Sequence, residues 1–179
     1  MKKLSMDELG RLDAEQYRQA DKLPVCLLLD NVRSLHNVGS GFRTADAFRL
    51  EQIILTGITG TPPHREIQKT ALGATESVPW HYEADPVVAA RKLLANGYEL
   101  LVVEQTTASV PLHRIQALGS KRYCLVFGNE VNGVSEDLLE LAHGAIEVPQ
   151  AGTKHSLNVS VCLGIVAWEF FKQLSALKL

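Results

Sequence analysis

From Pro24 onward the chain alternates short, unbroken apolar runs with longer stretches of helical spacing. Val25-Cys26-Leu27-Leu28-Leu29 is the first run. Ile53-Ile54-Leu55, Leu100-Leu101-Val102-Val103 and Tyr123-Cys124-Leu125-Val126-Phe127 repeat its texture, with a shorter one at Ala145-Ile146-Glu147-Val148. Strands that face water on one side alternate apolar and polar residues, so unbroken runs mark strands covered on both faces. Between them, Asp85-Pro86 predicts a helix running to Gly97: the Asp caps free N–H groups and Pro fits the first helical position. Ser135 predicts a second cap, with Glu136 and Asp137 at the positive end of the helix. Leu157 to Leu174 reads as a long helix, apolar on nearly every side, that must be buried in the core or against another subunit. Strand and helix alternate throughout, which predicts the α/β class with a mainly parallel sheet and helices on both faces.

Residues 1–23 differ in texture, being polar and balanced with five basic and five acidic side chains. Leu4, Leu9, Leu12 and Tyr17 fall on a loose helical stripe, which predicts an N-terminal helical arm on the surface. The remainder, 24–179, reads as one domain without repeat or linker. The chain is 46% hydrophobic and 21% charged, a globular composition. Its 18 Lys and Arg against 20 Asp and Glu exclude a strongly basic coat, though not a local basic patch. The longest apolar stretch, Val161 to Trp168, is far short of the ~20 residues that span a bilayer, so no membrane association is expected. No apolar segment follows the two N-terminal lysines, so no secretory signal is expected. Cys26, Cys124 and Cys162 sit among aliphatic neighbours, pointing to reduced thiols and a cytoplasmic location. The histidines show no i, i+4 ligand pair, and no metal is expected.

Buried parallel strands place their working residues on the loops beyond the strand ends. Three such loops carry candidate chemistry. Asn31 to Asp46 is polar and glycine-bearing, and its backbone N–H groups could face an anion as it opens a helix. Arg43 lies near the first turns of that helix, and with Arg33 and Arg49 nearby it makes phosphate a plausible target. Gly39-x-Gly41-x-x-Thr44 imitates a dinucleotide fingerprint poorly, since the third glycine is missing and the second strand ends in Leu55-Thr56-Gly57. Glycines that merely ease the start of the helix explain it better. Phe127 to Val134 is a polar turn bracketed by Gly128 and Gly133. From Gly128 to Gln150 there are five acidic residues and no Lys or Arg. That wall suits a cationic or neutral small molecule and repels phosphate, while an ordinary turn with solvated carboxylates remains open. Pro149 to Ser160 leads into the apolar helix, where Ser156 would serve as a cap, and Asn158 and Ser160 need partners. Lys154 and His155 read as solvent-facing, and Trp80-His81-Tyr82 as aromatic packing on an edge strand.

Taken together, the three loops resemble the motifs of the TrmH (SpoU) branch of the SPOUT RNA methyltransferases. The first is similar to His36-Asn37-Val38-Gly39 through Arg43-Thr44-Ala45-Asp46. The second is similar to Leu125-Val126-Phe127-Gly128-Asn129-Glu130 with Gly133, and the third to Val148-Pro149 through Ser156-Leu157-Asn158-Val159-Ser160. The motifs occur in order, and the likeness extends over about residues 24–172. Val103-Glu104-Gln105-Thr106 also resembles members acting on tRNA, which puts tRNA ahead of rRNA as the expected partner. The resemblance implies a C-terminal trefoil knot, S-adenosylmethionine as cofactor with S-adenosylhomocysteine as product, and a homodimer. It implies a cofactor pocket at Val103, Glu104, Gly128, Val148, Pro149, Ser156 and Leu157. It makes Arg43 the catalytic arginine, Asn37 and Glu130 its supporting residues, and Ser156 and Asn158 the third-motif pair.

The implied reaction is in-line attack of a ribose 2′-oxygen on a sulfonium methyl group. A guanidinium keeps its proton above pH ~12, so Arg43 is expected to clamp the neighbouring phosphate and stabilise the developing alkoxide rather than act as base. Asn37 is expected to orient Arg43, and Glu130 to fix its own loop by accepting backbone N–H bonds. RNA phosphate contacts are expected around Arg33, Arg43, Arg49, Arg65 and Lys69. A catalytically silent RNA-binding module on the same scaffold, and more remotely a nicotinamide oxidoreductase, are the competing readings.

Overall fold

The computed structural model describes residues 1–5 and 7–176. Seven strands form one sheet: β1 (Leu23–Asp30), β2 (Leu50–Thr56), β3 (Trp80–Glu83), β4 (Tyr98–Val103), β5 (Val110–Pro111), β6 (Arg122–Phe127) and β7 (Gly144–Glu147). Their order is β3-β2-β1-β6-β4-β7-β5, and every pairing is parallel. All five apolar runs are strands, each reaching slightly beyond the run except β7, which stops at Glu147 and leaves Val148 to the next loop.

The unbroken pattern has the expected cause. Val25, Leu27 and Leu29 of β1 point into one core, while Cys26 and Leu28 point into another on the opposite face. The first core is covered by α2 (Leu35–Ala47), α3 (Arg65–Ala71), α4 (Ala74–Ser77) and α7 (Val159–Ala176), through Val38, Phe42, Ile67, Ala74, Leu163 and Phe170. The second is covered by α5 (Pro86–Ala95) and α6 (Glu136–Leu141), through Ala90, Leu93 and Leu138. Phe42, Phe127 and Phe170 are fully buried. Truncation of such a ring to Ala costs about 3–5 kcal/mol.

The helix signals vary in accuracy. Asp85 caps α5 by accepting from the N–H groups of Val87 and Val88, with Pro86 in the first turn. Ser135 stands at the start of α6, yet its hydroxyl makes no cap bond and is buried without a partner among the described residues. α7 begins at Val159, two residues later than expected, so Ser156 is not its cap. Asn158 stands just before it and accepts from the main-chain N–H of Ser160 at 2.9 Å and its hydroxyl at 2.6 Å. The two polar groups that needed partners satisfy each other.

Gly39 and Gly41 lie inside α2, not in a loop before it. The helix starts at Leu35, where Ser34 accepts from the Asn37 N–H. A Cβ at Gly39 would overlap the Ile67 carbonyl of α3, whereas one at Gly41 would sit 3.5 Å from Leu163. The glycine at 39 is there for close helix packing, not for an anion or a helix start.

The arm departs from a single stripe. A 3-10 turn (Asp7–Leu9) and the six-residue α1 (Ala14–Gln19) replace one continuous helix. Leu4, Leu9 and Leu12 are exposed, and only Tyr17 is buried, its hydroxyl 3.3 Å from the Ala45 carbonyl of α2. β1 takes in Leu23, so the arm gives way to the sheet one residue before the expected boundary. Positions 6 and 177–179 lie outside the described residues.

Candidate active site

The carboxyl ends of β4, β6 and β7 converge on a cavity of about 450 Å³, within the usual ~300–1,000 Å³ of small-molecule sites. Three segments wall it: Val103–Gln105 after β4, Phe127–Gly133 after β6, and Ile146–Val148 with His155–Val159 around the last loop. Six of the seven residues expected to hold a cofactor line it: Val103, Glu104, Gly128, Val148, Ser156 and Leu157. Pro149 is exposed and not on the wall, and Gln150 takes part.

The loop after β6 is rigidly built. The main-chain groups of Asn129 and Gly133 pair reciprocally at 2.9 Å, and the Asn129 Oδ1 accepts from the N–H groups of Val131 and Asn132. Glu104 Oε2 accepts from the Val134 N–H at 3.1 Å. A Cβ at Gly128 would overlap the main chain of Gly133 and Val134. Gly128 is thus required by the loop's own closure, and a side chain there would displace the wall rather than simply protrude into the cavity.

Glu130 binds a different loop from the one expected. Its Oε2 accepts from the Arg33 N–H and its Oε1 from the Ser34 N–H, both at 2.9 Å, and Asn37 Nδ2 donates to the same Oε1 at 2.9 Å. Glu130 therefore ties its loop to the start of α2. Partial burial raises its carboxyl pKa, but the two N–H donors and the Asn37 amide outweigh this and leave it below the ordinary carboxylate value. Asn37 is consequently engaged by Glu130, and it does not orient Arg43.

Arg43 is exposed, forms no ion pair among the described residues, and is absent from the cavity wall. It lines a separate groove between α2, α3 and α7, together with Ser40, Thr44, Phe48, Lys69, Thr70 and Gly164. Lys69 is there too, paired with Glu66 at 2.7 Å. Arg33 follows β1 and Arg65 opens α3, on the side of the sheet's carboxyl ends. Arg49 precedes β2, at the opposite end, with φ +50°. The expected basic group is therefore split, and Arg49 stands apart.

The electrostatics of the cavity suit a cation. Glu104, Glu130 and Glu147 line it and no Lys or Arg does. Cys162 also faces it, and burial, then the Glu104 charge, pushes its thiol up to about 11, so it is protonated at neutral pH. Polar residues of the tight loop and Ser156 and Asn158 line it, with apolar Val103, Leu157 and Val159 flanking. This set fits a sulfonium-bearing amino acid joined to a nucleoside. Gln105 and Ile146 also line this wall, as do Glu147, one of the five acids between Gly128 and Gln150, and His155, which the sequence reads as solvent-facing. Gln105 Nε2 donates to the His155 carbonyl at 2.8 Å and joins two walls. Among the described residues, no group of three or more His, Cys, Asp and Glu is placed to hold a metal, and no helix is long and apolar enough to cross a membrane.

Known proteins place this architecture. The 23S rRNA (guanosine-2′-O-)-methyltransferase RlmB of Vibrio parahaemolyticus is 31% identical over 172 residues, covering 96% of this chain and 68% of that protein. The crystal structure of the A. aeolicus TrmH/SpoU tRNA modifying enzyme superposes with a TM-score of 0.81 at 25% identity, covering 92% of this chain and 84% of that one. An AdoMet-bound rRNA methyltransferase from Sinorhizobium meliloti gives 0.78 at 30% identity, covering 90% and 60%. The chain thus spans about two thirds of its RlmB relative. With the SpoU rRNA Methylase family matching residues 24–168, the chain belongs to that family.

Proposed function

We propose that the protein is an S-adenosylmethionine-dependent RNA methyltransferase that modifies a ribose 2′-hydroxyl, works as a homodimer and acts in the cytoplasm. The observation that carries this reading is the acidic, cation-free cavity at the ends of β4, β6 and β7, whose wall is tied through Glu130 to the start of the helix bearing Arg43. The cofactor supplies a methyl group already activated on a sulfonium, so the chain has to bind, align and stabilise charge. Val103, Gly128, Val148, Ser156 and Leu157 hold it, with the three glutamates favouring its positive charge. Arg43 binds the RNA phosphate and stabilises the alkoxide that develops as the 2′-hydroxyl loses its proton to phosphate or water. Ser156 and Asn158 belong to the same wall.

The position of Arg43 supports a site shared between two copies. The α7 residues Val161, Ile165 and Trp168 form a stripe at helical spacing, exposed by 51%, 39% and 51%. This stripe runs beside Gly164 and Phe48, which line the Arg43 groove. A second copy seated on it would cover the groove and bring each Arg43 beside its partner's cavity. The trefoil knot belongs to the same reading. The chain crosses from β6 past β4 to β7 and returns through 148–158 to α7, on the other face from α6.

For the RNA, the Val103–Thr106 likeness favours tRNA, whereas the name of the RlmB relative favours rRNA. We place rRNA first. Arg33, Arg65, Lys69 and Arg43 supply the phosphate contacts, so binding falls steeply with salt. The test is labelled methyl transfer from S-adenosylmethionine to separated rRNA and tRNA, with 2′-O-methyl sites mapped in cellular RNA with and without the protein. Labelled rRNA is the expected outcome. Label confined to tRNA would reassign the substrate, and RNA binding without any label would make the chain a silent module.

A further inference from the structure

Two adjacent residues at the end of β1 clamp both ends of the loop after β6. We propose that Asp30 and Asn31 are positioning residues that set the cavity's affinity for the cofactor by holding this loop in place. The inference rests on the methyltransferase reading only for the identity of the ligand. Asp30 is 1% exposed, and its carboxylate meets donors but no cation among the described residues. Its Oδ2 accepts from the Ser135 N–H at 2.8 Å, where the loop ends, and its Oδ1 accepts from Asn31 Nδ2 at 2.7 Å. The start of the loop is held by the Asn31 carbonyl, which accepts from Asn129 Nδ2 at 2.7 Å.

Asn31 is itself held from several sides. It has φ +55°, a left-handed conformation that Asn tolerates better than most residues. Its Oδ1 accepts from the Ile58 N–H at 3.1 Å, and its own N–H donates to the Thr56 carbonyl at 3.3 Å. A buried carboxylate without a counter-ion is costly, and it is retained where a particular set of donors has to be held. Here the donors are the far end of the loop and the residue that holds its near end. Residues 130–133 between those points all line the cavity, so any slip of the clamp moves the wall.

The donor pattern supplies the test. In Asp30→Asn an NH2 group faces a donor whichever way the amide is turned, toward Ser135 N–H or toward Asn31 Nδ2. The double exchange Asp30→Asn with Asn31→Asp restores complementarity, because the amide now at 30 donates to the carboxylate at 31 and still accepts from Ser135. S-Adenosylhomocysteine binding is measured by calorimetry, with amide hydrogen exchange at residues 129–135 and melting temperature alongside. Asp30→Asn should weaken binding about tenfold or more and speed exchange at Ser135, and the double exchange should recover both. Wild-type affinity in Asp30→Asn, or no recovery in a folded double variant, overturns the proposal. If Asp30→Asn does not fold, Asn31→Gly decides, since it relieves the φ strain yet removes the side-chain tie. Weakened binding there sustains the clamp and unchanged binding overturns it. Should the wild type fail to bind S-adenosylhomocysteine, the functional reading falls, while the exchange data still decide the clamp.

Discussion

Asn37 Nδ2 lies 2.9 Å from Glu130 Oε1, joining the helix that carries Arg43 to the loop that walls the cavity. The carboxylate also receives the Arg33 and Ser34 N–H groups, so one side chain fixes the relation between the two halves of the site.

Glu130→Gln should therefore lower methyl transfer by about tenfold or more, because the amide NH2 must oppose one of the three donors. The pH dependence follows from the lowered carboxyl pKa. A group whose folded pKa is depressed contributes stability above its unfolded value and loses it as pH falls through the folded value. The melting-temperature gap between wild type and Glu130→Gln should thus hold steady at neutral pH and shrink as pH falls below about 4.5. A gap that widened in acid would contradict the assignment of these bonds.

Gly39 and Gly41 make a matched pair on one helix. Ala exceeds Gly in helix propensity by about 1 kcal/mol. At Gly41 the added methyl makes ordinary contact with Leu163, so Gly41→Ala should be neutral or stabilising. At Gly39 it overlaps the Ile67 carbonyl, and Gly39→Ala should destabilise by about 1–3 kcal/mol. Denaturant unfolding of the two variants checks the contrast.

The contrast also shows where reading the sequence stops. The run Val25–Leu29 announces a strand buried on both faces because each face needs its own apolar residues, and that information is local. Whether Gly39 serves an anion, a helix start or a helix–helix contact depends on Ile67, twenty-eight positions away. The cavity was legible at Gly128, Ser156 and Leu157 through the resemblance of ordered motifs. The partners of Glu130 were not, since a carboxylate's donors are chosen by the packing of distant loops. Val148 and Gln150 line the cavity and the exposed Pro149 between them does not, a difference of one position that no sequence motif resolves.

The stripe on α7 gives a separate test. Ile165→Glu places a charge at its centre, at an exposed position that is not among the buried core residues. It should yield a folded monomer by analytical ultracentrifugation, with methyl transfer lost along with the dimer. A dimer that survives this change would be built on another face.

Arg43 supplies the last prediction. Arg43→Ala should abolish methyl transfer and leave S-adenosylhomocysteine affinity within about twofold, since the residue is not on the cavity wall. Gly128→Val should do the reverse, pushing the Gly133–Val134 main chain aside and eliminating cofactor binding. Each variant alone should be inactive. If each site joins one copy's cavity to the other's Arg43, a mixed dimer has one site with both defects and one with neither. Differently tagged chains allow that mixed dimer to be isolated by two affinity steps, and circular dichroism verifies that both chains are folded. About half of the wild-type activity per dimer is then expected. A site built within one chain leaves every site of the mixed dimer defective. Isolated, folded mixed dimers with no activity would therefore place Arg43 and the cavity it serves in the same copy.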